Sequence, residues 1–408
     1  EVAYLTNIGG LDGPSRVLLS TALRLNKAKF KVTFLTTKEL KPPKEILEQL
    51  EQNDIPYLHV QVKIKGDLYW NVFNGSMVPL LDMVSKVSSI KEIENPEVRE
   101  TVGFMVATLR GFDILTFTNI QARKIEDSIV ANLARIAKVP IRICDPGNLQ
   151  RALPALDAVT HLVVPSYRAR KHWKDMGVTI PIKVVWPGAT DHLPLTKVQN
   201  AQQVSDTEFS TNIIATNNSS CDVINIVFIG RLHIIKSPGM FVRVASRIKE
   251  HFACDSNEGS KYRKRPKFHV VGDGFLKKSL EALSVQLGLS LNNDITFHGR
   301  LVHDEVLSFL KDKPAHVLVH TSLSNETFGL VLVESMAVKV PVVTFGVGGT
   351  ADFLAINDNH SCVARETTVG SLVDSLLECM DKGTYANLGQ RAYDVVHTLN
   401  LTVPGMVK

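Results

Sequence analysis

Cysteine is scarce in this chain: five residues, at 144, 221, 254, 362 and 379, among 408. The number is odd, and no two stand at zinc-ligand spacing. A disulfide framework and a structural zinc site are therefore both excluded, and the chain reads as reduced and intracellular. Long apolar runs are missing too. The best candidate, Val331 to Gly346, is broken by Glu334 and Lys339, so it falls short of the roughly 18 uninterrupted apolar residues of a membrane span. No signal-peptide pattern opens the sequence. The chain begins at Glu1 without a Met and runs at once into an apolar stretch, Val2-Ala-Tyr-Leu-Thr6, as a fragment or trimmed chain would. Lys/Arg blocks interleaved with aromatics are also lacking, which argues against nucleic acid as a partner. One of six N-glycosylation sequons, Asn325-Glu-Thr327, falls inside the main motif described below. A glycan there would block that motif, which favours a compartment without N-glycosylation.

What is present describes a folded globular protein, 44% hydrophobic and 21% charged. A length of 408 residues exceeds one ordinary core, so two domains are expected. The net charge of +5 is unevenly spread. Residues 1–195 hold 25 Lys and Arg against 20 Asp and Glu, and the remainder holds 21 against 21. The first half thus has a mildly basic surface, open to anionic lipid headgroups or to a phosphorylated acceptor.

Apolar strands alternate with amphipathic helices along residues 1–195. Strands are expected at Val2–Thr6, Lys31–Leu35, Ile114–Thr118, Pro140–Cys144, Val159–Val164 and Val184–Trp186, with helical spacing at Ser15–Leu25 and Ile125–Ala137. Residues 196–221 turn polar and Asn/Ser-rich, as a linker or surface insertion does. A second series follows over 222–385, with strands at Val223–Ile229, Lys267–Val271, Ile295–His298, Val317–His320 and Pro341–Phe345, and an inserted loop at Asp255–Lys267. Residues 386–408 form a C-terminal segment that could cross back to the first domain. Such alternation gives an α/β protein of two Rossmann-like, doubly wound parallel-sheet domains, with ligands at the carboxyl ends of the strands, in a cleft between the domains.

The most informative motif is Asn325-Glu-Thr-Phe-Gly-Leu-Val-Leu-Val-Glu-Ser-Met-Ala337, which follows the strand ending at His320. Thr327 is expected to cap a helix over Leu330–Val338, with the free N–H groups of Phe328, Gly329 and Leu330 suited to a diphosphate. Gly329 allows close approach of the backbone to a ligand. Glu326 and Glu334, eight positions apart, could accept from sugar and ribose hydroxyls, although a capped helix with two surface carboxylates has the same pattern. The second motif is Phe228-Ile-Gly-Arg-Leu-His-Ile-Ile-Lys236, which puts Arg231 and Lys236 beyond a buried strand end. Two cations there would offset charge on a leaving diphosphate; two solvated loop cations would look the same. Val270-Val-Gly-Asp-Gly274 is a strand running into a glycine turn. Asn7-Ile-Gly-Gly-Leu-Asp-Gly-Pro-Ser-Arg16 is a loop in which Gly10 and Gly13 could approach a phosphate. This loop lacks the Gly-x-Gly-x-x-Gly fingerprint, which disfavours a redox dinucleotide enzyme. His161 sits in a strand pattern and reads as a packed core residue.

In this order the motifs resemble glycosyltransferase family 4, the retaining group 1 enzymes of GT-B fold. The likeness is carried by Gly230-Arg-Leu232 with Lys236, Gly272-Asp-Gly274, Phe297-His-Gly-Arg-Leu301, Glu326 with Glu334, and Gly348-Gly349, with a weaker echo at Trp186-Pro-Gly-Ala-Thr-Asp191. The resemblance implies a hexosyltransferase using a nucleotide diphosphate sugar. Arg231 and Lys236 would hold the diphosphate and Glu326 the sugar. Glu334 would take the ribose, the amides of Thr327, Phe328, Gly329 and Leu330 the distal phosphate, and the backbone at Leu301 and Val302 the base. Gly230 and Gly272 would line the donor site. The acceptor would be a glycan, a lipid-linked or a small molecule. The enzyme would be cytoplasmic, with peripheral contact to an anionic membrane through the first domain. No cofactor or metal is expected, since the Asp-x-Asp pair that holds the metal in the other large glycosyltransferase fold occurs nowhere in this chain. Two departures stand out. The strand Ile114–Thr118 leads into Asn119 where the family often has a histidine, and Asp352 follows Gly348-Gly349 where it often has Glu. A binding subunit without turnover and a nucleotide-sugar epimerase of the same fold are the alternatives. Acceptor choice is expected around Lys63–Phe73, whose Tyr69, Trp70 and Phe73 read mainly as core.

Overall fold

The computed structural model describes residues 1–5, 13–36, 44–59, 84–118, 125–145, 153–188, 223–254, 265–312, 317–323, 326–354, 362–380 and 382–401. Contacts divide the chain into two compact units, Glu1–Pro187 and Gly188–Thr402. The boundary expected near 195 and the linker 196–221 lie outside the described residues, as do Gly10 and the stretch Lys63–Phe73.

The first unit holds strands β1 (Val2–Leu5), β2 (Val32–Thr36), β3 (Tyr57–His59), β4 (Ile114–Thr118), β5 (Ile141–Asp145), β6 (His161–Val164) and β7 (Ile182–Val184). Between them run helices α1 (Gly13–Arg24), α2 (Lys44–Gln52), α3 (Pro96–Leu109), α4 (Ile125–Ile136) and α5 (Tyr167–Asp175). The sheet is parallel throughout, in the order β3-β2-β1-β4-β5-β6-β7. A parallel sheet must be covered on both faces, and its strands are accordingly apolar. One core gathers Leu115, Cys144, Leu162, Val164 and Trp173 with α3 and α4. A second gathers Val2, Phe34, Leu19, Ile46 and Leu50 beneath α1 and α2.

The second unit repeats the scheme with β8 (Val223–Ile229), β9 (Arg265–Val271), β10 (Ile295–Gly299), β11 (Val317–His320), β12 (Val342–Thr344) and β13 (Cys362–Val363). Its helices are α6 (Pro238–Cys254), α7 (Lys277–Gln286), α8 (His303–Asp312), α9 (Leu330–Ala337), α10 (Thr350–Leu354), α11 (Val369–Met380) and α12 (Lys382–Thr398). The order is β10-β9-β8-β11-β12-β13, again all parallel. Both sheets are doubly wound about their first strand. The crossovers therefore reverse between β1 and β4, and between β8 and β11, and α/β sheets offer ligand sites beyond the carboxyl ends of such strand pairs. From residue 386 onward, α12 packs on α9 and α11 of this unit, where Gly389 fits closely against the Lys339 carbonyl. Residues 402–408 lie outside the described set.

Two expectations are corrected. His161 is exposed rather than packed in the core. It opens β6, and its Nδ1 lies 3.0 Å from Thr160 Oγ1. The inserted loop expected at Asp255–Lys267 stops earlier, because Arg265, Pro266 and Lys267 already pair with Val223, Ile224 and Asn225 in β9.

Candidate functional site

The two motif loops of the second unit leave β8 and β11, the neighbouring strands that flank its switch point. After β8 the chain turns at Gly230 and winds a single 3-10 turn, Ile234–Lys236. The His233 Nδ1 accepts from the Ile235 N–H at 3.2 Å and so caps that turn, and Ser237 closes it in the left-handed region at φ 46°. Beside it, Gly230 N–H donates to the Val271 carbonyl at 3.0 Å, Leu232 N–H to Asp273 at 2.9 Å, and Gly272 N–H to Gly299 at 2.7 Å. The ends of β8, β9 and β10 are thus locked in a row. Gly272 has φ 138°, and a Cβ there would stand 1.9 Å from the Gly230 carbonyl oxygen. The contact between these two backbones, more than any ligand, explains glycine at 272.

Lys236 is half-buried and donates through Nζ to Glu326 Oε2, ninety residues later. Thr321 fastens the two loops from the other side, its Oγ1 donating to the Lys236 carbonyl at 2.8 Å. Glu326 is only 9% exposed. Oε2 also accepts from His320 Nε2 and from Ser322 Oγ, each at 3.2 Å. Burial alone would raise its pKa. The His320 hydrogen bond, the Lys236 charge and the His320 charge outweigh that and bring it down to about 2. Glu326 is therefore an ionised acceptor throughout the physiological range. Arg231, one residue past Gly230, is exposed, and among the described residues its guanidinium has no carboxylate partner.

Helix α9 starts differently from the sequence expectation. Its N-cap is Gly329 at φ 84°, with no side-chain cap, so Thr327 does not cap it. A Cβ at Gly329 would meet Leu332 Cδ1 at 2.5 Å and Thr350 Cγ2 at 2.7 Å, and at this positive φ any other side chain is strained. Among the described residues, none of the N–H groups of Thr327, Phe328, Gly329 and Leu330 donates a hydrogen bond. Unfilled amides at a helix start favour an anion. The Phe328 ring is buried against Phe353, 5.4 Å between centroids, and anchors the loop.

Glu334 is 5% exposed on α9, so neither glutamate is a surface carboxylate. Its Oε1 lies 3.4 Å from Nδ1 of His303, the first residue of α8, so the segment carrying Leu301 and Val302 abuts this glutamate. Val302 is half exposed, but its N–H donates to Glu305 Oε2 at 2.9 Å and its carbonyl accepts from Val306, which leaves Val302 as the cap of α8. Gly13 opens α1 in the first unit.

The structure thus brings together Lys236, Glu326 and the start of α9, with Arg231 on the same loop as Lys236, and sets Glu334 against His303, next in the chain to Leu301 and Val302. His320, Ser322, Thr344 and His303 were not picked out in the sequence. The signal was available for two of them: His320 and Thr344 are polar residues that end apolar parallel strands, where ligand-side groups gather. Among the described residues no group of three or more His, Cys, Asp or Glu is arranged to hold a metal, and no helix is long and apolar enough to cross a membrane.

Residues 210–395 match the family model of glycosyl transferases group 1. Among curated relatives, an uncharacterized glycosyltransferase of Methanocaldococcus jannaschii is 35% identical over 114 residues, 28% of this chain and 30% of that protein. A D-inositol 3-phosphate glycosyltransferase of Streptomyces bingchenggensis is 31% identical over 145 residues, 34% of this chain and 29% of its own length. The matched segments thus span about a third of either partner. Among solved structures, Anabaena HepE in complex with UDP and glucose superposes with a TM-score of 0.67 at 15% identity, over 100% of this chain and 96% of that one. At that identity the likeness establishes the fold, which is GT-B with two parallel-sheet α/β domains.

Proposed function

We propose that the protein is a retaining glycosyltransferase that moves a hexose-type sugar from a nucleotide diphosphate sugar to a glycan, lipid-linked or small-molecule acceptor, without a metal. One observation carries this reading. Lys236 and Glu326 leave the two strands at the switch point and meet beside the unfilled amides of α9, all within the segment that matches the group 1 model. In this reading Arg231, Lys236 and the amides of Thr327 to Leu330 take the diphosphate. Charge grows there as the glycosidic bond breaks, and preorganised donors lower the barrier most where charge develops. Glu326 takes the donor sugar and Glu334 the ribose. The leaving phosphate then accepts the acceptor proton, so no protein base is required. The buried free thiols Cys144, Cys362 and Cys379 are consistent with a reducing, cytoplasmic setting, and the basic excess of residues 1–195 with peripheral contact to an anionic membrane.

A panel of UDP, GDP and ADP sugars tests the reading, with turnover and melting temperature recorded for wild type, Lys236→Ala and Glu326→Ala. Turnover with at least one donor, lost in both variants while the fold persists, supports it. Wild-type turnover in both variants would sink the site assignment. A second reading, a binding subunit, is favoured by the absence of a histidine at Thr118-Asn119 after β4. It predicts a nucleotide-induced rise in melting temperature with no turnover on any donor.

A further inference from the structure

The three groups that donate to Glu326 all meet the same oxygen. Lys236 Nζ, His320 Nε2 and Ser322 Oγ converge on Oε2, and Oε1 has no partner among the described residues. Behind Oε2 the contacts continue inward. His320 is 3% exposed, and its second nitrogen, Nδ1, lies 3.2 Å from Oγ1 of the fully buried Thr344. That hydroxyl oxygen also accepts from the Gly346 N–H at 3.4 Å, and because an ionised carboxylate can only accept, the His320 Nε2 is the donor to Glu326. The backbone of Glu326 is gripped separately. Its carbonyl accepts from Gly349 N–H at 2.8 Å, and a Cβ on Gly348, at φ 64°, would stand 2.2 Å from that oxygen. A carboxylate held at its carbonyl and at one oxygen has its last torsion set, and the other oxygen points in one direction.

We propose that His320, seated on Thr344, is a positioning residue that fixes Glu326 through Oε2 so that Oε1 is presented to a hydroxyl of the donor sugar. The inference rests on the reading of function given above. His320 does not touch substrate; it acts through Glu326, as the partners of metal ligands act through the ligand they orient. Among the described residues Lys236 and His320 are the titratable groups that face Glu326. Losing His320 removes the first of the contacts that oppose burial, so the Glu326 carboxyl titrates at a higher pH.

The test compares wild type with His320→Leu, His320→Gln and Thr344→Val. Gln places an N–H near the Nε2 position and serves as the conservative variant. For His320→Leu, kcat is expected to fall by about tenfold or more. The rise in melting temperature caused by UDP, GDP or ADP alone should be kept, because those nucleotides lack the sugar. The acid limb of the rate profile should move to higher pH. His320→Gln should restore much of both, and Thr344→Val should fall between. Unchanged kcat and an unchanged acid limb in His320→Leu overturn the proposal. So does a loss of nucleotide binding that matches the loss of turnover and is not recovered in Gln, since that is a general structural effect. If the wild type turns over no nucleotide sugar, the reading of function fails and the positioning role fails with it. The side-chain 13C titration of Glu326 then judges the contact on its own, and equal midpoints in wild type and His320→Leu would refute it.

Discussion

Two buried carboxylates at opposite ends of the second sheet are satisfied in different ways. Asp294 precedes β10 at the amino end and is 4% exposed. Lys249 Nζ and the Ser290 N–H reach its Oδ2 at 2.7 and 2.8 Å, and Arg265 reaches Oδ1 at 3.4 Å. Glu326 follows β11 at the carboxyl end, is similarly buried, and also has a lysine partner. Asp294 has both oxygens engaged, whereas Glu326 has all three donors on one. Both are held below their usual pKa against the upward push of burial, by Lys249, Ser290 and Arg265 in one case and by His320 and Lys236 in the other. A lowered pKa therefore does not distinguish the two; the unused oxygen does, because a satisfied carboxylate has nothing left to offer a ligand.

The contrast breaks most sharply under deletion. Glu326→Ala and Lys236→Ala should each lower turnover by at least about a hundredfold, the scale of losing a preorganised charge contact, while Asp294→Asn leaves donor kinetics intact. Comparable kinetic losses in all three variants would erase the distinction. Next in size is Gly348→Ala. Its new methyl would collide with the Glu326 carbonyl, so a stability loss of about 1–3 kcal/mol in urea unfolding is expected together with lower turnover. Asp294→Asn should cost a similar or smaller amount, about 1–3 kcal/mol, in stability alone.

The smallest effect is in acid. Each carboxylate is depressed in the folded state, so its contribution to stability is fully present above the unfolded value of about 4 and is lost as pH falls through that value toward the folded one. Stability should therefore decline as pH falls below about 4, the Glu326 share being lost toward about 2. Asp294→Asn should flatten that decline, as denaturant titrations at several pH values would show. An equal slope in wild type and variant would mean that Asp294 is not held down.

The legible part of the molecule was the part built from uniform apolar runs. Val223–Ile229 and Val317–His320 form strands where their β-branched composition placed them, because strands buried on both faces need no alternation. Tyr57–His59 and Cys362–Val363 are too short to show any period, and only their neighbours make them strands. Gly230, Arg231, Lys236, Glu326 and Gly329 could be marked from glycine and charge at strand ends. The Lys236–Glu326 contact could not, since it joins loops ninety residues apart. Nor could the use of Gly272, which depends on the backbone of Gly230 passing beside it. His320 looked like the end of a strand because a buried imidazole in Val-Leu-Val-His gives no local sign of its partners.

The two-glycine turn at Gly348-Gly349 has a consequence for redesign. Glu326 is held at its carboxylate by Lys236, His320 and Ser322 and at its backbone carbonyl by this turn. The turn thus fixes the backbone from which the carboxylate hangs, separately from the side-chain contacts that orient it. A redesign that exchanges Lys236, His320 or Ser322 therefore keeps the backbone of Glu326 in place so long as both glycines are retained.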